Sequence, residues 1–313
     1  MKKNYKSILK VLIFAILLNI IFMPNIAKAD DFDFDEAIIY FLLTDRFNNG
    51  DTSNDNPNGE NYDKSHLETY HGGDFQGLID KLDYLKDLGV NTIWITPIVD
   101  NINFNLRYGK DAQYGYHGYW AKDFTKIDEH LGDLDTFKKL IDEIHDRNMK
   151  LMVDVVINHT GYGLKSTDSN TEIPNYPTDE NREVFKDMLR LEPTNGHPIT
   201  GELAGLPDFI TEDENVRNQV IAWQKDWIEK ARTEKGNTID YFRVDTVKHV
   251  ELETLKAFKD QVVQIKPDFK MIGEYFDGSV HFNGSVMDQG GMDSILDFEF
   301  KGIVRDYLRG NFE

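Results

Sequence analysis

Short apolar runs alternate along the chain with segments whose apolar positions have a helical spacing. Most of the runs are continuously apolar, which is typical of parallel strands buried on both faces. We predict strands at residues 38–47, 91–98, 150–158, 240–247, 271–276 and 294–300. We predict helices at residues 77–88, 134–148, 214–235 and 252–265. This βα repetition indicates an α/β fold with a parallel sheet or barrel.

Two long connections interrupt the alternation. Residues 48–74 are rich in Asn, Asp and Gly, and residues 160–211 contain several prolines. Connections of this length are unusual within a compact domain, so each is either functional or a small subdomain.

The N-terminal residues 1–29 have the pattern of a signal peptide. Four lysines in the first ten residues precede an apolar run at 11–22, and Ala27-Lys28-Ala29 forms a small-x-small cleavage pattern. The apolar run is shorter than the roughly 18 residues that a membrane span needs. We therefore predict secretion with cleavage near Asp30, and no stable membrane anchor.

Composition narrows the range of partners. The formal net charge of −20 argues against nucleic acid or an anionic membrane as a partner, whereas it suits divalent cations and neutral sugars. The chain has no cysteine, so a secreted domain of this sequence is stabilised by its core, by bound metal or by both. Its 313 residues are enough for one large α/β domain.

Charged residues follow the third, fourth and fifth predicted strands, where active sites of βα barrels are built. Asp245 and Glu274 lie on neighbouring strands, and two convergent carboxyl groups are the minimum for glycoside hydrolysis. Arg243 lies two residues before Asp245, so it shares a strand face with Asp245 and would keep it ionised as a nucleophile. Glu274 would then be the acid, which needs a raised pKa. Spacing alone leaves structural salt bridges as an equal alternative.

Five segments in order resemble the motif set of the α-amylase family. The segments are Tyr116-His117-Gly118-Tyr119-Trp120, Asp154-Val155-Val156-Ile157-Asn158-His159, Leu206-Pro207-Asp208-Phe209, Phe242-Arg243-Val244-Asp245-Thr246-Val247-Lys248-His249 and Gly273-Glu274. One such segment alone would be weak support, whereas five in the family's order are specific. The resemblance extends over residues 38–300.

The resemblance implies a (β/α)8 TIM barrel with a domain inserted after the third strand. Residues 30–159 and 212–313 would form the two parts of the barrel, and 160–211 the inserted domain. The family's third carboxylate, in an Asn-His-Asp-type motif, is absent after Glu274. The last strands and the C-terminal β-domain are therefore expected to be missing from this chain.

The resemblance also implies a function, which is retaining cleavage of α-1,4 bonds in starch or malto-oligosaccharides. Asp245 would form the covalent intermediate, Glu274 would be the acid and then the base, and Arg243 would orient Asp245. Substrate-binding roles are implied for Tyr119, His117, His159, Lys248 and His249, with Asp154 supporting the hydrogen bonds of the site. Three alternatives remain: a cyclodextrin-forming transglycosylase, an inactive glucan-binding homologue, and an unrelated zinc hydrolase that uses Asp154, His159 and His249.

Calcium is the implied cofactor, because hard cations prefer the oxygen ligands that this acidic chain offers. By resemblance, Asn158 and Asp208 would be side-chain ligands of one ion, with the carbonyl of His249. A second set resembles a calcium site of cyclodextrin glucanotransferases and comprises Asn49, Asp51, Asn54, Asp55, Gly72 and Asp74. A simple Asn/Asp-rich turn explains that second set equally well.

Overall fold

A computed structural model describes residues 32–60, 62–108 and 111–311. The predicted signal peptide lies outside these residues. All elements below belong to the compact unit Phe34–Glu313. Over the three described ranges, the helices are too short or too polar to cross a membrane.

Six strands form one parallel sheet in which the spatial order follows the order of the chain. They are β1 (Ile39–Leu42), β2 (Thr92–Ile95), β5 (Lys150–Val155), β6 (Tyr241–Val244), β7 (Lys270–Gly273) and β8 (Ser294–Ile295). A separate antiparallel pair, which the sequence pattern did not predict, consists of β3 (Val99–Asn101) and β4 (Ala121–Ile127).

Eight α-helices accompany the strands in the described part of the chain. They are α1 (Thr44–Phe47), α2 (Phe75–Ile79), α3 (Leu82–Asp87), α4 (Leu134–His145), α5 (Asp179–Val184), α6 (Glu214–Lys230), α7 (Leu252–Ile265) and α8 (Phe298–Leu308). Seven of them, α1 to α7, stand between successive strands of the parallel sheet, so that each of the first four crossings contains at least one helix. This alternation confirms the predicted (β/α)8 barrel fold.

Three element predictions differ most from the structure, and a side-chain hydrogen bond of an aspartate accompanies each difference. The strand predicted at 38–47 ends at Leu42, because Asp45 turns to accept the backbone N–H of His71 and Gly72. The strand predicted at 294–300 has two residues, because Asp297 accepts the N–H of Phe300 and begins α8. The helix predicted at 77–88 is split into α2 and α3, and Asp74 caps the first of them.

The four central strands of the parallel sheet, β2, β5, β6 and β7, are buried on both faces, as their continuous apolar runs predicted, whereas Ile39 and Phe41 of the edge strand β1 are exposed. Alternate residues such as Ile93, Ile95 and Val153 belong to the main core, together with apolar residues of α4, α6 and α7. The residues between them form a smaller inner cluster of Trp94, Met152, Tyr241 and Ile272. Because side chains alternate along a strand, the polar residues that follow on this inner face share one side of the sheet.

The segment 160–211 is closed at its base by pairing between its two ends. The N–H of Thr160 donates to the carbonyl of Pro207 at 3.0 Å, and that of Phe209 donates to the carbonyl of Asn158 at 2.9 Å. This pairing places the Leu206–Phe209 motif beside the end of β5.

Candidate active site

Arg243 lies at the centre of a buried group of carboxyl side chains. The β5–β6 register pairs Asp154 with Arg243 on the inner face, and Arg243 Nη1 donates to both carboxylate oxygens of Asp154, at 2.9 and 3.1 Å. The same nitrogen donates to Asp245 Oδ1 at 2.6 Å, and Nη2 lies 3.0 Å from Glu274 Oε2. One guanidinium therefore holds the three carboxyl groups that the sequence motifs placed on separate strands.

Asp154 is fixed from several sides and is 1% exposed. Its Oδ2 accepts from the hydroxyl of Tyr119 at 2.7 Å and from the indole N–H of Trp94 at 3.1 Å. Burial raises the pKa of the Asp154 carboxyl, and the Arg243 guanidinium opposes that rise. The geometry agrees with a supporting role for Asp154, and it adds Trp94, which no sequence motif contained.

Glu274 and Asp245 face each other across neighbouring strand ends. Burial raises the pKa of Glu274, the positive charge of Arg243 opposes this, and the negative charge of Asp245 reinforces it. The Glu274 side chain is 20% exposed, so the carboxyl group is reachable from solvent. These are the conditions under which one carboxyl of a pair keeps its proton while the other is ionised.

Thr246 occupies a strained backbone conformation directly after Asp245. Its φ of 50° and ψ of 37° are in the left-handed region, which β-branched residues rarely adopt. In this conformation its N–H donates to Glu274 Oε2 at 3.2 Å. The strain therefore accompanies a direct link between the two candidate catalytic strands, a role that the sequence did not indicate.

The aromatic segment Tyr116–Trp120 borders Asp154, because the hydroxyl of Tyr119 donates to Asp154 Oδ2. The backbone N–H of Tyr119 donates to His117 Nδ1 at 3.0 Å, and the two rings stack at 5.6 Å between centroids. Gly118 has a φ of +89°, and a Cβ there would lie 2.7 Å from the carbonyl of Pro97. Burial lowers the pKa of His117 to about 4, so the ring is neutral and its Nδ1 can accept.

His159 is a buried ring that interacts with Tyr119 of the aromatic segment and with Glu274. Burial lowers the pKa of His159 to about 4, while weaker interactions involve Tyr119, His249 and Glu274. Its buried Nε2 has no hydrogen-bond partner among residues of the described ranges. A neutral, unpaired ring nitrogen at this position can bond to a neutral hydroxyl group, as a sugar-binding role requires.

Lys248 and His249 lie at the rim, in the short turn after β6. Lys248 Nζ donates to the carbonyl of Phe276 at 3.2 Å. His249 Nδ1 lies 2.5 Å from the carbonyl of Pro198, and since a carbonyl only accepts, Nδ1 carries the proton. The structure thus places His249 against the segment 160–211.

The first predicted calcium set is only partly assembled. Asn158 and Asp208 are neighbours through the base pairing of the segment, and both are buried. Arg190, which lies in none of the five motif segments, donates to Asp208 Oδ2 at 3.0 Å. Across the residues that the structure describes, no three His, Cys, Asp or Glu side chains converge as a metal site. The ligand set of the zinc alternative, Asp154 with His159 and His249, is therefore not assembled.

Most of the second calcium set does come together. Asn49 Nδ2 donates to Asp55 Oδ1 at 2.5 Å, and a Cβ on Gly72 would lie 2.3 Å from that same oxygen. Asp74 accepts from the N–H groups of Gly50, Asp51 and Gly77 and interacts with the side chain of Asn54.

Asp51 is the exception in this set. Its carboxylate caps a short turn by accepting from Ser53 N and Oγ, at 2.9 and 2.7 Å. In contrast, Asn49 Oδ1 and Asn54 Oδ1 are buried without a hydrogen-bond partner in the described part of the chain. Unpaired buried oxygens are costly, so their chemistry fits a hard cation.

Comparison with known proteins places this geometry in a family. The family description "Alpha amylase, catalytic domain" matches residues 41–312. The β/α-amylase of Paenibacillus polymyxa is 38% identical over 283 residues, covering 88% of this chain and 21% of that protein. The cyclomaltodextrin glucanotransferase of Klebsiella oxytoca is 33% identical over 309 residues, covering 89% and 44%.

Solved structures agree with these matches. The crystal structure of an α-amylase from Anoxybacillus superimposes with a TM-score of 0.67 at 38% identity, covering 84% of this chain and 52% of that one. The chain thus spans about half the length, or less, of the relatives that it matches. The extent of the family match and the order of the site residues together lead to one conclusion: this chain belongs to the α-amylase family.

Proposed function

We propose that this chain carries the catalytic machinery of a retaining glycoside hydrolase that cleaves α-1,4 bonds in starch-like glucans. The observation that carries the proposal is that Arg243 contacts Asp245 and Glu274 at once, at 2.6 and 3.0 Å. The negative charge of Asp245 also raises the pKa of Glu274. Two carboxyl groups held by one guanidinium favour retention, because inverting enzymes keep their carboxyl groups about 6.5–9.5 Å apart to admit a water molecule.

In the first step, Asp245 attacks the anomeric carbon as the glycosidic bond breaks. The Arg243 guanidinium donates to Asp245 Oδ1 and fixes the oxygen that it contacts. Glu274 donates its proton to the departing sugar oxygen, for which its raised pKa prepares it. The products of this step are a covalent glycosyl ester on Asp245 and a free sugar chain.

In the second step, Glu274 is ionised and takes a proton from a water molecule. That water attacks the anomeric carbon, the ester bond to Asp245 breaks, and the configuration of the sugar is restored. Tyr119, His117 and His159 line the position of the reacting sugar in this account, with Lys248 and His249 on the leaving-group side. The assignment of 160–211 as an inserted domain, and secretion after cleavage of 1–29, belong to the same proposal.

The products formed from soluble starch test the proposed reaction. Linear malto-oligosaccharides that appear early, with a rapid fall in iodine staining, are expected from internal hydrolysis. Cyclodextrins as the main product would instead support the transglycosylase, which the similarity to a cyclomaltodextrin glucanotransferase makes the second candidate. A glucan-binding protein without turnover would give neither product.

We also propose a calcium site in the loop that follows β1. Asn49, Asn54, Asp55 and Asp74, with the carbonyl of Gly72, would hold the ion, which supplies positive charge to oxygens that otherwise lack partners. The set of Asn158, Asp208 and His249 stays a prediction with weaker support, because Arg190 already pairs with Asp208.

Calcium is expected to raise thermal stability through this loop. A ligand that binds only the folded state contributes about 2.7 kcal/mol at 100 times its Kd, so Tm should rise by several degrees in calcium compared with chelator. Asn54→Ala should remove most of that difference. Asn56→Ala, at an exposed position in the same loop, is the matched control and should keep it. An unchanged calcium response in Asn54→Ala would contradict the site.

A further inference from the structure

One aromatic residue outside the family motifs lies beneath the candidate site. On β2, Ile93 and Ile95 belong to the main core, whereas Trp94 faces the opposite way into the inner cluster. The Trp94 side chain is 9% exposed. The register pairs it with Met152, two residues before Asp154, so Trp94 and Asp154 share the inner face of neighbouring strands.

Trp94 contacts both Asp154 and Arg243, which form a buried ion pair. Its indole N–H donates to Asp154 Oδ2 at 3.1 Å, and its ring centre lies 5.4 Å from the guanidinium carbon of Arg243. The ring alone would fill this space, but only the indole nitrogen can donate to the carboxylate. The ring contact with Arg243 is therefore a packing role that another aromatic side chain could fill, whereas the hydrogen bond to Asp154 requires the indole nitrogen.

The polar contact bears on the position of Arg243. Asp154 Oδ2 accepts from Trp94, from Tyr119 and from Arg243, and Arg243 Nη1 is shared with Asp245 at 2.6 Å. A buried carboxylate that loses one donor depends more strongly on those that remain. Loss of the indole N–H would therefore draw Arg243 towards Asp154 and away from the nucleophile.

We propose that Trp94 is a positioning residue, which acts on the reaction through Asp154 and Arg243. The inference rests on the proposed function, because its effect is exerted on the orientation of Asp245. In this proposal, the indole N–H of Trp94 is the third donor to Asp154. It thereby keeps Arg243 Nη1 shared between Asp154 and Asp245.

Trp94→Phe removes the donor and keeps an aromatic ring. We expect kcat on a malto-oligosaccharide to fall about tenfold with KM changed less than about twofold, because the lost bond orients the nucleophile and does not bind sugar. Trp227→Phe is the matched control. The indole of Trp227, 4% exposed, donates to the carbonyl of Phe124 at 2.9 Å between α6 and β4, so its loss should leave kcat unchanged. An equal fall in both variants would overturn the proposal.

A double-mutant cycle identifies the route of the effect. If Trp94 acts through Asp154, then adding Trp94→Phe to Asp154→Ala, which removes the acceptor, should change kcat by less than about twofold, since the interaction is already lost. A further tenfold fall in that background would show that Trp94 acts by another path, and would overturn the proposal.

A measurement without substrate separates this inference from the proposed function. The four tryptophans give four indole N–H signals in a nitrogen–proton NMR spectrum, and Trp94→Phe identifies one of them. That signal should shift in Asp154→Ala, which removes the acceptor, while the signal of Trp227 stays in place. A Trp94 signal that does not move would contradict the hydrogen bond even in an active enzyme, whereas a shift in a protein without turnover would leave the contact intact and refute the proposed function.

Discussion

Asp245→Asn is expected to lower kcat on malto-oligosaccharides by about four orders of magnitude. An amide cannot form the glycosyl ester, and removal of a nucleophile from a cooperating set typically costs this much. The fold should persist, because asparagine is nearly isosteric and can still accept from Arg243. Steady-state kinetics with a chromogenic maltoside would measure the loss.

Glu274→Gln should differ from Asp245→Asn in a way that depends on the leaving group. On maltosides with a poor leaving group we expect a loss of about three orders of magnitude, because the departing oxygen is not protonated. On α-maltosyl fluoride the first step needs no acid, so the ester should still form. Asp245→Asn should be inactive on both substrates, and near-normal turnover in either variant would refute the assigned roles.

Asp293→Asn provides the matched control for these two changes. Asp293 is 20% exposed, as Glu274 is, and it pairs with Lys259 at the opposite end of the same sheet. The same change from carboxylate to amide should therefore leave kcat within about twofold. A large loss in Asp293→Asn would attribute the effects to general damage to the sheet.

Arg243→Met is expected to cost about 3–5 kcal/mol in the free energy of unfolding, in addition to activity. The change leaves the buried carboxylates of Asp154 and Asp245 without their shared cation, and breaking a buried pair in this way is strongly destabilising. Urea denaturation at neutral pH would measure the cost. Arg305→Met, which removes only an exposed pair with Asp306, should cost less than about 1 kcal/mol.

The pH dependence of the Arg243→Met cost has a definite sign. Burial raises the pKa of Asp154, and without Arg243 nothing of comparable strength opposes that rise. A group whose pKa is raised in the folded state binds a proton more tightly there than in the unfolded chain. The deficit should therefore shrink as pH falls through the raised pKa. A deficit that grows on acidification would contradict the unpaired-carboxylate explanation.

The sequence predicted the parts of this molecule that depend on periodicity. Continuous apolar runs predicted a sheet buried on both faces, and the two-residue spacing of Arg243 and Asp245 predicted their shared face, which the 2.6 Å contact confirms. The predicted end of β1 was wrong. Asp45 accepts from the backbone N–H groups of His71 and Gly72, which lie 26 and 27 residues further along the chain, and no local sequence pattern contains that contact.

The sequence could not predict those contacts of the site that join residues far apart in the chain. Trp94 reads as one more apolar residue in a buried run, and its indole N–H meets Asp154 only because β2 and β5 are adjacent. Arg190 lies in a long irregular segment, so its pairing with Asp208 depends on how that segment closes. The left-handed backbone conformation of Thr246 could not be predicted from the sequence, since β-branched residues rarely adopt it.

Peptide mass spectrometry of Glu274→Gln after incubation with α-maltosyl fluoride can detect the covalent intermediate on the nucleophile. The first step should proceed and the second should stall, so a maltosyl group should accumulate on one peptide. We predict that fragmentation locates this group on Asp245, and that Asp245→Asn with Glu274→Gln carries none. A label on another residue, or a stalled enzyme with no label at all, would contradict the role of Asp245 as nucleophile.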